Sequence, residues 1–237
     1  MKQPQKITIC ACSSRSIMSR EKIAQLAAQA QKAGLEVILV SDLCELCETK
    51  DKSVHALAET TLVACYPRAV KSLMAYVGES VGESIDLRNG SVEEALQALG
   101  IAAQQDDEAS AEAQAPWTAQ LEAMPQRLGE DAWYPTVDKD VCCECGKCLE
   151  FCPFGVYEMV EDRIRVVHPT HCKNNCPACA RTCPASAIIF PKYDRSPING
   201  GPAQEEKAVQ LDTKTLYNEA FRERLAARKI SLTKPFK

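Results

Sequence analysis

The sequence predicts an α/β N-terminal domain, a small parallel sheet with helices, joined to a smaller α+β domain organised around cysteine and finished by a C-terminal helix. Three observations carry that prediction. Short apolar runs alternate with helical stretches through the first 78 residues, as in a right-handed parallel β-α-β-α-β unit. Further along, Cys142-x2-Cys145-x2-Cys148-x3-Cys152-Pro153 is followed by Cys172-x3-Cys176-x2-Cys179-x3-Cys183-Pro184, the same run with one more residue in its first gap. Charge is uneven around these features: residues 79 to 131 hold 12 acidic and 2 basic side chains, and residues 214 to 237 hold 7 basic and 2 acidic.

Lys6-Ile7-Thr8-Ile9-Cys10 reads as the first strand. Ser19 to Ala33 has helical composition and stops at Gly34, which suits the left-handed residue at a helix end. Leu35 to Val40 is a buried strand, Asp51 to Ala58 a helix, Thr61 to Cys65 a third strand, and a further helix runs from Pro67 to about Tyr76, completing a domain of residues 1–78. Residues 79–132 are expected to form an acidic helix and a flexible linker. Ser91-x-x-Glu94 is a capping box for a helix ending at Gly100, whereas Ala102 to Pro116 is too poor in large apolar groups to order itself. In residues 133–193, Trp133 to Val137 is the first expected strand. Val156 to Met159 and Ile164 to Val167 make a hairpin turning at Glu161-Asp162, and Ala187 to Phe190 closes the domain. Residues 194–237 begin as the loop Ser196 to Pro202 and end in a basic helix from about Thr213 to Arg228. Its partial stripe of Leu216, Ala220, Phe221 and Leu225 packs on the preceding domain or docks a partner.

The chain has 14 cysteines in 237 residues and a net charge of −4. Met1-Lys2-Gln3-Pro4-Gln5 leads directly into a strand without a secretory leader, and no apolar run approaches membrane-spanning length, so a cytoplasmic location without a membrane span is expected. Thiols stay reduced in that compartment, and dense cysteine there means metal rather than disulfides. Two residues between thiolates let a tight loop wrap three sulfurs around one face of an iron–sulfur cube. Structural zinc uses paired cysteines separated by longer intervals, not closely spaced runs of four ending in proline. Cys143, between two motif positions, reads as a non-ligand.

Five more cysteines fall at strand ends: Cys10 and Cys12 after the first, Cys44 and Cys47 after the second, Cys65 ending the third. In a parallel sheet those ends share one edge, and neighbouring strands are about 4.8 Å apart, so the five converge on one rim. A third metal centre, either a third 4Fe-4S cluster or another metal such as zinc, a redox disulfide and a persulfide carrier are the open functional readings; buried thiols acting as small hydrophobes are the structural one. A centre would draw on Cys10 or Cys12 together with Cys44, Cys47 and Cys65. The serines of Cys12-Ser13-Ser14-Arg15-Ser16 read as helix caps before an anion cradle. His55, His168 and His171 read as structural or surface residues, with His171 placed to tune a centre at Cys172.

The motifs of residues 133 to 191 resemble the bacterial-type ferredoxin domain with two 4Fe-4S clusters. In that pattern the last cysteine of each run serves the other cluster. The resemblance implies Cys142, Cys145, Cys148 and Cys183 as ligands of one cluster and Cys172, Cys176, Cys179 and Cys152 as ligands of the second. The first 75 or so residues, through Cys10-x-Cys12, the Cys44 region and Ala64-Cys65-Tyr66-Pro67-Arg68, resemble the N-terminal part of the A-type subunit of heterodisulfide reductase. Cysteine-rich α/β segments of that family belong to a flavin and iron–sulfur conduit; its flavin-binding Rossmann domain has no counterpart here, so flavin chemistry does not carry over.

These readings make the chain an iron–sulfur electron-transfer protein that relays single electrons between redox partner proteins. No constellation of catalytic acid, base or nucleophile stands out. One alternative is a thiol/disulfide or sulfur-substrate reductase with Cys12 and Cys47 as its reactive pair; another is a fixed iron–sulfur subunit of a larger oxidoreductase complex. An acidic chain without basic and aromatic interleaving gives no support to nucleic-acid binding. Oligomeric state has no signal in the sequence.

Overall fold

The computed structural model describes residues 6–15, 17–101, 111–125 and 131–202. Strands β1 (Lys6–Cys10), β2 (Glu36–Val40) and β3 (Thr61–Ala64) pair in parallel, and a short β4 (Ile85–Asp86) extends the sheet in the order β2-β1-β3-β4. Helix α1 (Arg20–Lys32) opens where the Ser19 side chain accepts a hydrogen bond from the Lys22 amide. It buries Ile23, Leu26, Ala27 and Ala30, a helical-period stripe of small and medium apolar groups that lets it lie close to the sheet. Helices α3 (Ser53–Ala58) and α4 (Pro67–Tyr76) fill the expected crossovers, with Pro67 in the first turn of α4, where its missing N–H costs nothing.

A helix not anticipated between β2 and α3, α2 (Leu43–Glu48), carries both Cys44 and Cys47. Asp42 starts it: one carboxylate oxygen accepts from the Cys44 amide at 3.0 Å and the Glu45 amide at 3.4 Å.

Residues 111–122 correct the linker expectation. They form α6 (Ala111–Glu122), which packs against α1 and buries Leu121 to 1 % exposure. A segment poor in apolar groups orders here because α1 offers it a surface, on which Leu121 is buried and Trp117 partly buried. Before it, α5 (Val92–Ala98) starts at the expected capping box, with Ser91 and Glu94 exchanging side-chain and backbone hydrogen bonds. Residues 102–110 of the expected linker, and the expected helix from Thr213 to Arg228, lie outside the described residues.

The cysteine-block unit is built on two small antiparallel pairs. β5 (Thr136–Val137) pairs with β8 (Ile188–Ile189), and β6 (Tyr157–Val160) pairs with β7 (Arg163–Val166) through a turn in which Glu161 and Asp162 take φ of 50° and 58°. The expected strand from Trp133 is shortened to its last two residues, because Trp133 and Tyr134 turn their rings into the boundary with the sheet unit. Tyr134 donates to the Cys44 carbonyl at 2.8 Å. Short helices α7 (Lys147–Phe151) and α8 (Ala178–Thr182) pack against each other, each following one cysteine loop.

The two units are tied by charge and close packing. Arg68 donates to the Asp138 carboxylate and the Ser186 carbonyl. The loop after β8 lies on α4 at Gly200, whose φ is +92° and whose absent Cβ would sit 2.7 Å from the Ala69 Cβ, so only glycine fits.

Candidate metal centres

The two cysteine loops are bent by left-handed residues: Glu144 and Gly146 around Cys145, and Asn175 before Cys176. Cys148 and Cys179 stand buried on α7 and α8, Cys142, Cys172 and Cys176 are half-buried, and Cys145 and Cys143 are exposed. The last cysteine of each run lies among the thiols of the other. Cys183 acts electrostatically on Cys142 and Cys148, and Cys152 acts on Cys172 and Cys179. Burial pushes the Cys148 and Cys172 thiols up to about 12 and Cys179 higher still, while Cys142 rises more modestly from the same cause. Neighbouring thiols add to each rise, so these groups stay neutral until an electrophile takes their protons' place.

At the sheet edge, Cys10, Cys12, Cys44 and Cys65 line one cavity of about 20 Å³ together with Asp42 and Lys192. Lys192 follows β8, so the cysteine-block unit supplies one wall. Its side chain is 2 % exposed, and its ammonium donates to Asp42 Oδ2 at 2.7 Å and to Ser14 Oγ at 2.7 Å; Ser14 in turn donates to Asp42. Burial alone would lower the Lys192 ammonium, but Cys44, Asp42 and Cys12 outweigh it and raise it. Burial pushes Cys10 up to about 11 and Cys47 and Cys65 to about 12, and raises Cys12 and Cys44 strongly.

Of the five rim cysteines, four therefore meet at the cavity. Cys47, fully buried, has Cys10 as its thiol neighbour. For the expected reactive pair, Cys12 has Cys10 and Cys65 as its thiol neighbours and Cys47 has Cys10, and burial holds both thiols above the ordinary value, which does not favour a nucleophile. Ser14 belongs to the Lys192–Asp42 group instead of capping a helix, while His168 and His171 stack on each other at 4.7 Å on the surface. Sequence reasoning misses Lys192, Asp42, Arg15, Trp133 and Tyr157. Asp42 alone has a local signal, as an N-cap residue just ahead of Leu43 and Cys44. Among the described residues, no three His, Cys, Asp or Glu donors converge as tightly as a single metal ion requires.

Stretches of the chain match curated proteins, although no family model matches it. It is 44% identical over 61 residues to the uncharacterized ferredoxin MJ0251 of Methanocaldococcus jannaschii, covering 25% of this chain and 42% of that protein. It is 32% identical over 93 residues to Ferredoxin-3 of Nostoc sp., covering 30% of this chain and 90% of that protein. The chain belongs to the ferredoxin family. It is also 39% identical over 54 residues to pyruvate synthase subunit PorD of Methanothermobacter marburgensis, of which it spans 60%. It thus spans less than two thirds of MJ0251 and of PorD, and nearly all of Ferredoxin-3.

Ferredoxins hold iron–sulfur clusters on cysteine thiolates and carry electrons, and that coarse role is this protein's. No helix among the described residues is long and apolar enough to cross a membrane. The donor set fits: Cys142, Cys148 and Cys183 gather in one place and Cys152, Cys172, Cys176 and Cys179 in another, soft ligands suited to iron–sulfur clusters. This ferredoxin adds a hydrogen bond from the buried Tyr157 hydroxyl to Cys179 Sγ at 3.1 Å. A donor at a ligating sulfur withdraws charge and favours the reduced state. Tyr157→Phe keeps the ring that fills the core and removes the donor. The expected result is a lower midpoint potential for the centre holding Cys179, with iron content unchanged, in a potentiometric EPR titration; an unmoved potential would mean that the hydroxyl only packs.

Proposed function

We propose that the protein relays single electrons through two 4Fe-4S clusters, one held by Cys142, Cys145, Cys148 and Cys183 and the other by Cys172, Cys176, Cys179 and Cys152. The observation that carries this reading is the crossing of the two runs in space, with Cys183 beside Cys142 and Cys148 and Cys152 beside Cys172 and Cys179. Closely spaced runs of four thiols, in place of widely separated pairs, support an inorganic cluster over zinc. When bound, each cluster takes up and releases one electron. The chain's part is to bury the thiols, exclude water, donate at Cys179 and present Cys145 near the surface. Val141, Phe151 and Phe154 are exposed around that first loop, an apolar collar on which a redox partner can seat.

The cavity of Cys10, Cys12, Cys44 and Cys65 supports a third centre in the sheet unit. Four thiols from three strand ends meet beside a buried ammonium, which offsets the negative charge of ligated thiolates. That site is better suited to a resident group than to turnover of a sulfur substrate, since its thiols are shielded. The similarity to PorD, named as a pyruvate synthase subunit, favours a second setting for the same chemistry, a fixed place in a larger oxidoreductase.

Iron and sulfide counting on anaerobically prepared protein tests both parts. About twelve irons per chain are expected, against about eight for the paired clusters alone. Cys65→Ala should remove about four irons and leave the remaining clusters reducible. An iron-free, zinc-rich protein would overturn the reading, and a count that Cys65→Ala does not change would remove the third centre.

A further inference from the structure

The two cysteine loops are related by sequence, but they face different surroundings. Glu144, the left-handed residue before Cys145, spends its carboxylate inside its own unit, accepting from the Ile164 amide at 2.6 Å. Asn175, in the same position before Cys176, reaches the other unit, where its side-chain oxygen accepts from Arg15. Arg15 lies three residues beyond Cys12. Its guanidinium also binds Asp131 at 2.6 Å and sits 4.6 Å over the Trp133 ring. Trp133 donates its Nε1–H to the Cys176 carbonyl at 3.4 Å and is 5 % exposed. Next in sequence, Tyr134 bonds the Cys44 carbonyl. Cys172 packs against the core of the sheet unit and feels Glu48, the residue after Cys47. In contrast, Cys145 and the collar of Val141, Phe151 and Phe154 face solvent.

We propose that Arg15 and Trp133 couple the Cys172–Cys179 loop to the thiol site at the sheet edge. That loop is then the internal electron contact and the Cys142–Cys148 loop the external one. The step is a bare electron exchange. One electron leaves the Cys172 side and one arrives at the sheet-edge site, with no bond formed or broken; the electron comes from the one-electron donor that reduces any ferredoxin. Trp133 acts as a positioning residue, its ring filling the gap so that water does not separate the two sites. This inference rests on the reading of the sheet-edge cysteines as a redox site.

The test follows reduction of the sheet-edge site in the whole chain after rapid mixing with dithionite-reduced methyl viologen. Freeze-quench EPR reads the reduction of a cluster at that site. Cys172→Ala should abolish fast reduction there while the Cys142–Cys148 side still reduces at once, and Cys142→Ala should slow entry to the Cys172 side and the sheet-edge site together. Trp133→Leu should slow it with iron content unchanged and should weaken the magnetic interaction between the two reduced sites. Fast reduction of the sheet-edge site in Cys172→Ala, or an unaffected rate in Trp133→Leu, overturns the proposal. Failure of the underlying reading looks different: the chain as prepared, once reduced, then gives no sheet-edge EPR signal and Cys65→Ala loses no iron, which also sinks the coupling.

Discussion

Cys142→Ala combined with Cys183→Ala is expected to lose only about four irons per chain, whereas Cys142→Ala combined with Cys152→Ala is expected to lose about eight. The asymmetry follows from the crossing. Cys142 and Cys183 are 41 positions apart in sequence yet share one group of thiols, so the second substitution strikes a centre already lost. Cys142 and Cys152 lie in one run, ten positions apart, but serve different groups, because Cys152 sits beside Cys172 and Cys179. If each run instead closed on its own cluster, the outcomes would exchange: about eight irons lost with Cys183, about four with Cys152. Alanine is preferred to serine because a serine oxygen can still ligate iron. Counting iron and sulfide decides it, with the EPR spectrum of the surviving centre as the check that one cluster remains folded in place.

The parts legible in the sequence are those whose cause is local. The ferredoxin character shows in short, fixed cysteine spacings, β1, β2 and β3 follow from apolar runs, and α1 from helical composition bounded by Ser19 and Gly34. The capping box at Ser91 and Glu94 names its helix in the same way. What is missed depends on distant partners. β4 is two residues long and exists because β3 offers it an edge. α6 is ordered by α1, across residues too polar to fold alone. Arg15 meets Asp131, Trp133 and Asn175 more than 100 positions away, and no window of sequence contains both sides. The rim cysteines are an intermediate case. Strand topology places Cys10, Cys12, Cys44 and Cys65 at one edge, but the cation that completes their surroundings, Lys192, comes from the other unit.

Lys192→Met is expected to destabilise the chain by about 3–5 kcal/mol, the cost of leaving a buried charge without its partner. Asp42 and Lys192 are each 2 % exposed at the side chain, so solvent cannot replace the lost ammonium. Asp42 is also the residue that starts α2 through the Cys44 and Glu45 amides, so a carboxylate that moves or protonates takes the positions of Cys44 and Cys47 with it. The folded protein holds the Lys192 pKa above its ordinary value. Its contribution is therefore fully present below the unfolded lysine pKa and is lost only as pH rises through the raised folded value. The deficit of the variant should accordingly be the same at pH 6 and pH 8, read as a shift of the urea midpoint. Adding Asp42→Asn should recover part of the loss, since the pair is coupled and the orphaned charge is gone. A potential measurement separates this charge effect from simple loosening. With the ammonium removed, a sheet-edge centre gains an electron less easily and its midpoint should fall, while the clusters of the two cysteine runs keep theirs. A uniform fall at all centres would instead mean that the whole boundary between the units has opened.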